Sequence, residues 1–241
     1  MNLIIDIGNT QAKIAVFEDT KQLKIIRSSF KNTYSSIKKL QKNYQLENCI
    51  ISAVSKFDTT ALKKDTSFKK VIELNHKTKI PFQNAYGTPT TLGVDRIALV
   101  SAAENQYPKQ NCLILDAGTC ITYDFIDTKK KYLGGAISPG INIRYKALHQ
   151  FTANLPLLEK NNFILTGKDT KGSIHSGVLN GVLQEIDGVI DQYKAKYQNL
   201  TVVLTGGDTN FLAKKLKSTI FANPNFLLEG LNSILIHNLD E

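Results

Sequence analysis

Leu3-Ile4-Ile5-Asp6-Ile7-Gly8-Asn9-Thr10-Gln11-Ala12-Lys13-Ile14-Ala15-Val16-Phe17 opens the chain with two apolar runs on either side of a polar turn. Strand-forming residues interrupted by Gly and Asn predict a β-hairpin. The turn gathers a carboxylate, a glycine, a hydroxyl and, one strand position later, an amine, which is the equipment of phosphate and metal binding. Gly8 allows the backbone to approach a ligand, Thr10 and Lys13 can hold phosphate oxygens, and Asp6, ending a buried strand, can hold Mg²⁺ directly or through water. Asn, Asp and Gly are also ordinary turn residues, so this stretch alone fits a plain solvated hairpin equally well.

The same pattern returns 110 residues later as Leu113-Ile114-Leu115-Asp116-Ala117-Gly118-Thr119, followed by the apolar stretch from Ile121 to Ile126. An internal repeat of this kind predicts two domains of similar topology, 1–110 and 111–241, facing each other across a cleft. The intervening segments support an α/β fold. Leu23–Phe30 extends the hairpin, Tyr34–Tyr44 has helical spacing, and Cys49–Val54 reads as a buried strand ending in Ser52 and Ser55. A short helix near Thr60–Lys64 and a strand at Lys70–Leu74 complete the first alternation. In the second half, a strand Lys131–Ile137 runs through a glycine-rich turn into the helix Ile141–Phe151. A long amphipathic helix Ser173–Tyr197, a strand Thr201–Leu204, a helix Asn210–Leu216 and an apolar helix Leu227–Leu239 follow. The last of these is apolar enough to dock on the body or on a partner, and the long helix from Ser173 is the expected dimer face.

Between the two repeats, the loop Ile80–Leu92 leads into Gly93-Val94-Asp95-Arg96, where a helix begins and then stops at Pro108. Asp95 in a first turn is explained by helix capping, worth about 1 kcal/mol. Arg96 is not, because a cation is disfavoured at the positive end of the helix dipole, and an anionic ligand would account for it. Later, Thr205-Gly206-Gly207-Asp208 places a second flexible turn after a buried strand and before a helix. The chain has no Walker A motif, no G-x-G-x-x-G and no Gly-x-Ser-x-Gly elbow.

The composition, 42% hydrophobic and 21% charged over 241 residues, is that of a globular protein large enough for a substantial core. No apolar run reaches the ~20 residues of a membrane span, and Asp6 interrupts any signal-peptide core, so a cytoplasmic protein is expected, with no membrane partner. Cys49, Cys112 and Cys120 are odd in number and set among apolar neighbours, which predicts buried thiols instead of disulfides. The net charge of +9 comes from dispersed doublets and one triplet of lysine. That spread favours solubility and attraction of anionic substrates over nucleic-acid binding. Only Arg27, Arg96 and Arg144 break the preference for lysine, marking positions where a guanidinium fork is needed.

Taken together, Asp6-x-Gly8-Asn9-Thr10-x-x-Lys13, Gly93-x-Asp95-Arg96, Asp116-x-Gly118-Thr119, Gly134-Gly135-x-Ile137-x-Pro139-Gly140 and Thr205-Gly206-Gly207 resemble, in order and spacing, the type III pantothenate kinases of the actin and hexokinase superfamily. The resemblance implies two ribonuclease-H-like domains in tandem with an ATP cleft between them. It implies ATP-dependent phosphorylation of pantothenate, the first step of coenzyme A synthesis, with Mg²⁺ and a monovalent cation (K⁺ or NH₄⁺) and a homodimeric state. It further implies that Asp6, Ile7, Gly8, Asn9, Thr10, Gln11, Ala12 and Lys13 form the ATP phosphate loop, with Asp6 near the divalent metal. By the same carry-over Thr119 contacts ATP and Asp116 ligates the monovalent cation. Asp95 is the proton acceptor, and Tyr86, Gly93, Val94, Asp95, Arg96 and Thr170 bind pantothenate, Arg96 through the substrate carboxylate. Thr170 follows Asp169 where the family has Asn. Two other readings stay open at this point: a transcription accessory factor of the same family, and a kinase for a different small hydroxy acid or sugar.

Overall fold

The computed structural model describes residues 1–8, 11–54 and 57–239. In chain order the elements are β1 (Asn2–Ile7), β2 (Ala12–Glu18), β3 (Lys21–Ser28), α1 (Thr33–Asn43), β4 (Asn48–Ala53), α2 (Thr60–Lys63), β5 (Lys70–Glu73), β6 (Gln83–Asn84) and α3 (Val94–Gln106). They continue with β7 (Asn111–Ala117), β8 (Cys120–Ile126), β9 (Lys131–Pro139), α4 (Ile141–Gln150), α5 (Thr170–His175) and α6 (Gly181–Lys196). The chain closes with β10 (Leu200–Thr205), α7 (Thr209–Leu212), β11 (Phe221–Ala222) and α8 (Phe226–His237).

The first sheet has the order β3-β2-β1-β4-β5. β1 runs antiparallel to β2 and parallel to β4, and both of its faces are covered, which is why its sequence is a continuous apolar run and not an alternating one. On one face Leu3, Ile5 and Ile7 meet Ile14, Cys49 and Ile51 under Ile37 and Leu40 of α1. The alternate residues Ile4, Asp6, Ile50 and Ser52 point to the opposite face, on which α3 and α8 lie. Those two helices approach closely: a Cβ built on Gly230 would lie 1.8 Å from the carbonyl oxygen of Ala98. Asn232 of α8 anchors the helix to the sheet, accepting from Asn2 Nδ2 (3.0 Å) and donating to the Asp19 carbonyl (2.7 Å).

The second sheet has the order β11-β10-β7-β8-β9-β6. β7 is antiparallel to β8 and parallel to β10, so the arrangement of β1 between β2 and β4 is repeated around β7. Leu113, Leu115, Tyr123, Phe125, Val202 and Leu204 form a second core beneath Val182, Ile186 and Ile190 of α6. The sequence repeat is therefore a repeat of structure, a mixed α/β fold on two sheets.

By compactness the chain divides into one unit of Met1–Lys109, Thr128–Leu133 and the residues from Asn225 onward, and another of Gln110–Asp127 and Gly134–Pro224. The sequence repeat predicts a second domain of 111–241 as a whole, whereas α8 counts with the first unit because Gly230 lets it seat on α3. The apolar side of α8, with Leu228, Leu231, Ile234 and Leu235, is buried there.

Three further elements differ from expectation. The long helix begins at Thr170 and carries one widened π turn, Ser176–Asn180, between α5 and α6. Its start is explained by Asp169, whose carboxylate caps it through Gly172 N–H at 2.7 Å. The helix expected at Asn210–Leu216 is only the short α7, and the loop before Gly93 contains β6, in parallel register with Lys131 and Tyr132. Cys49 and Cys112 are buried as expected, while Cys120 is half-buried.

Candidate active site

The site in the first unit is built from the end of β1 and the start of α3. Asp6 stands next to last in β1, opposite Lys13 of β2, and only 7% of its surface is exposed. Burial pushes its carboxyl up to about 6; Lys13 pulls in the opposite direction, and the negative charge of Asp95 adds to the rise. Two carboxylates from distant parts of the chain thus share one electrostatic environment with one lysine.

Gly93 is the N-cap of α3, and Asp95 follows in the first turn. Asp95 Oδ1 accepts the Arg96 backbone N–H at 2.9 Å, so the expectation of a helix-start role holds for one of its two oxygens. Arg96 is buried, 5% exposed, with its guanidinium carbon 5.5 Å from the ring centre of Tyr86. Tyr86 stacks on Tyr132 with centroids 6.0 Å apart, and Phe82 meets the edge of Tyr132 at 6.0 Å. The ring face of Tyr86 gives the guanidinium an electrostatic partner at the unfavourable end of the helix dipole. Arg96 therefore has a reason to stand there besides an anionic ligand. Nothing in the sequence singles out Tyr132, since one aromatic in an alternating strand reads as core.

The turn between β1 and β2 is partly described. Gly8 N–H donates to Gln11 O at 3.1 Å, and among the described residues a Cβ on Gly8 would meet only that same oxygen, at 3.4 Å. Among the described residues, packing does not demand glycine there, and glycine is the residue that lets a backbone come closest to a ligand. Asn9 and Thr10 lie outside the described residues. Ile7 and Ala12 are fully buried in the core on α1's side of the sheet, so any ligand contact of theirs is through the backbone. Among the described residues no three His, Cys, Asp or Glu side chains cluster to cage a metal. Mg²⁺ does not need such a cage: it keeps several waters and takes one or two carboxylates plus phosphate oxygens, and the Asp6 carboxylate at the edge of the sheet fits that role.

Asp116, Thr119 and Thr170 belong to the second unit. Asp116 stands next to last in β7, between Thr122 of β8 and Thr205 of β10. The turn after β10 folds directly against it: Gly206 has φ +95°, a Cβ there would lie 2.3 Å from Asp116 Oδ1, and Asp208 N–H donates to Ala117 O at 2.9 Å. A carboxylate flanked by two hydroxyls is an oxygen-rich set that fits a hard cation. Thr119 lies in the hairpin turn, its carbonyl accepting Gly140 N–H at 3.1 Å. Pressed against this turn, Gly140 has no room for a side chain, since a Cβ would lie 2.4 Å from both Gly118 O and Thr119 O. Thr170 opens α5 and, with Leu148, Leu155, Ser173, Ile174 and Gly177, lines a groove of about 490 Å³. Asp169, in place of the usual Asn, caps this helix with the oxygen that Asn would also offer.

The sequence profile of the type III pantothenate kinases matches residues 2–192, a span that includes every candidate residue from Asp6 to Thr170. The chain belongs to the type III pantothenate kinase family. Among curated members, the type III pantothenate kinase of Flavobacterium johnsoniae is 46% identical over 246 residues, covering 100% of this chain and 99% of that protein. That of Christiangramia forsetii is 49% identical, with 99% of each covered. Of solved structures, a Campylobacter jejuni protein titled as a Baf family transcriptional activator superimposes with a TM-score of 0.65 at 24% identity, covering 99% of this chain and 100% of that one. A glucokinase from an Antarctic psychrotroph gives 0.54 at 12% identity, with 98% of each covered. At these identities the two structures speak for the fold alone, which this family shares with sugar kinases.

Proposed function

We propose that the chain transfers the terminal phosphoryl group of ATP to the primary hydroxyl of pantothenate, forming 4'-phosphopantothenate, the first step of coenzyme A biosynthesis. The observation that carries this reading is the convergence of Asp6, Lys13, Asp95 and Arg96 in one unit, with Asp6 sensing the charges of both Lys13 and Asp95. Family membership supplies the substrate.

In this reading Asp6 to Lys13 and Thr119 bind ATP, and Asp6 holds Mg²⁺, which when bound neutralises charge on the phosphate oxygens. Tyr86, Gly93 to Arg96 and Thr170 bind pantothenate. The fork of Arg96 takes the substrate carboxylate while Tyr86 holds it in place. Asp95 accepts the proton of the attacking hydroxyl as the new O–P bond forms and ADP leaves. An aspartate suffices for this, because a loose phosphoryl-transfer transition state asks for an acceptor in the right place more than for a strong base. Asp116 holds a monovalent cation, K⁺ or NH₄⁺. The protein works as a homodimer in the cytoplasm, without nucleic acid or membrane.

The test is ADP release by the purified protein with ATP, Mg²⁺ and K⁺ against a panel of acceptors. Consumption of pantothenate, with sugars and other hydroxy acids left unused, is the expected result; failure to consume pantothenate rejects the substrate even if another acceptor works.

A further inference from the structure

Asp6 has a second in-register neighbour besides Lys13. On the other side, β4 places Ser52 directly opposite it, so Lys13, Asp6 and Ser52 form one row across three adjacent strands. Residues paired in register across neighbouring strands project from the same face of a sheet. Ser52 is 0% exposed, and its Oγ has no hydrogen-bond partner among the described residues. A buried hydroxyl left without a partner is destabilising, and Ala or Val would suit this strand interior better. Nothing among the described residues accounts for a serine there.

Its position offers a reason. β1 and β4 are parallel, and Asp6 and Ser52 each stand next to last in their strands, at the carboxyl edge of the sheet. Ligands of open α/β sheets bind outside that edge. The second unit repeats the layout with different residues. Asp116 stands in register between Thr122 of β8 and Thr205 of β10, and Thr205, on the parallel neighbour, takes the place that Ser52 of β4 takes beside Asp6. A hydroxyl on the parallel neighbouring strand thus stands beside the carboxylate of both Asp-x-Gly strand ends.

We propose that Ser52 is a further residue of the nucleotide–metal site, its hydroxyl accepting a hydrogen bond from the water shell of the Mg²⁺ that Asp6 holds. This rests on the reading of Asp6 as the metal-holding carboxylate. A neutral hydroxyl adds an acceptor for metal-bound water without adding charge to a row that already contains a buried carboxylate. Mg²⁺ retains much of its hydration when bound, so such outer contacts are how a protein grips it.

The experiment measures binding of Mn²⁺ with a non-hydrolysable ATP analogue to the full chain, by electron paramagnetic resonance, for wild type, Ser52→Ala, Ser52→Thr and Asp6→Asn. Thermal unfolding of each is recorded without nucleotide or metal. Ser52→Ala is expected to weaken Mn²⁺–nucleotide binding by roughly tenfold, the size of a lost hydrogen bond to a charged group. Its unfolding temperature should be unchanged or raised, and Ser52→Thr should recover most of the binding. A fall in unfolding temperature with unaltered binding makes the hydroxyl structural and overturns the proposal. Unaltered binding in Ser52→Ala while Asp6→Asn loses it overturns the proposal and leaves Asp6 as the metal holder. If Asp6→Asn also binds normally, the reading of Asp6 fails and the proposal goes with it.

Discussion

Gly93 and Asp95 compete for one space: a Cβ on Gly93 would lie 2.4 Å from Asp95 Oδ1. The backbone of Gly93, at φ −58° and ψ 136°, would accept alanine without strain, so the collision falls on the carboxylate alone. Gly93→Ala should therefore fold, with a cost of about 1 kcal/mol or less at the helix start. If Asp95 is the proton acceptor proposed above, its displacement should lower turnover by roughly tenfold or more. Steady-state kinetics beside a melting curve check this; unchanged kcat would mean that the placement of Asp95 does not matter.

Arg96 is held by the face of Tyr86 and by burial, a setting made for a flat guanidinium. Arg96→Lys keeps the charge and loses both the fork and the stacking geometry. KM for pantothenate should rise more than KM for ATP, and equal changes in both would contradict the carboxylate-binding role.

Asp6 couples function to stability. Its carboxyl has an ordinary value of 3.8 in the unfolded chain and about 6 in the folded one. Between these the folded protein keeps a proton that the unfolded chain has released, so the stability tied to this proton is present at low pH and is lost as pH rises through about 6. Two pKa units correspond to on the order of 3 kcal/mol. In the absence of nucleotide and metal, Asp6→Asn should unfold at a higher temperature than wild type at pH 7.5, and the gap should close toward pH 4. A variant less stable than wild type at pH 7.5 would contradict the burial argument.

The last helix is fastened where Gly230 meets the Ala98 carbonyl, whose oxygen would lie 1.8 Å from the methyl carbon of an alanine at that position, and backbone cannot move aside as a side chain can. Gly230→Ala should cost about 2–3 kcal/mol in denaturant unfolding, the range for overpacking. A neutral substitution would mean that α8 is not seated on α3.

These relationships divide into those the sequence announces and those it conceals. The two Asp-x-Gly turns are legible because a strand-turn-strand signal depends on neighbours in the chain, and its recurrence 110 residues on marks two related sheets. Asp95 and Arg96 are legible because polar residues at a helix start after a long loop stand out against the apolar pattern. Tyr132 and Ser52 are not, since an aromatic or a serine inside a buried strand looks like any core position until the strand's neighbours are known. The return of α8 to the first unit is concealed for the same reason. Apolar periodicity says that a helix packs on something, and only the close approach at Gly230 identifies the partner as α3. Asp169 shows the reverse case, a departure from the family's Asn that the structure explains as an equivalent cap.

The most direct test of the account is the turnover of Asp95→Asn with pantothenate, ATP, Mg²⁺ and K⁺. The account predicts a normally folded protein whose kcat is lower by about 10² to 10⁴. Near-normal turnover in that variant would contradict it.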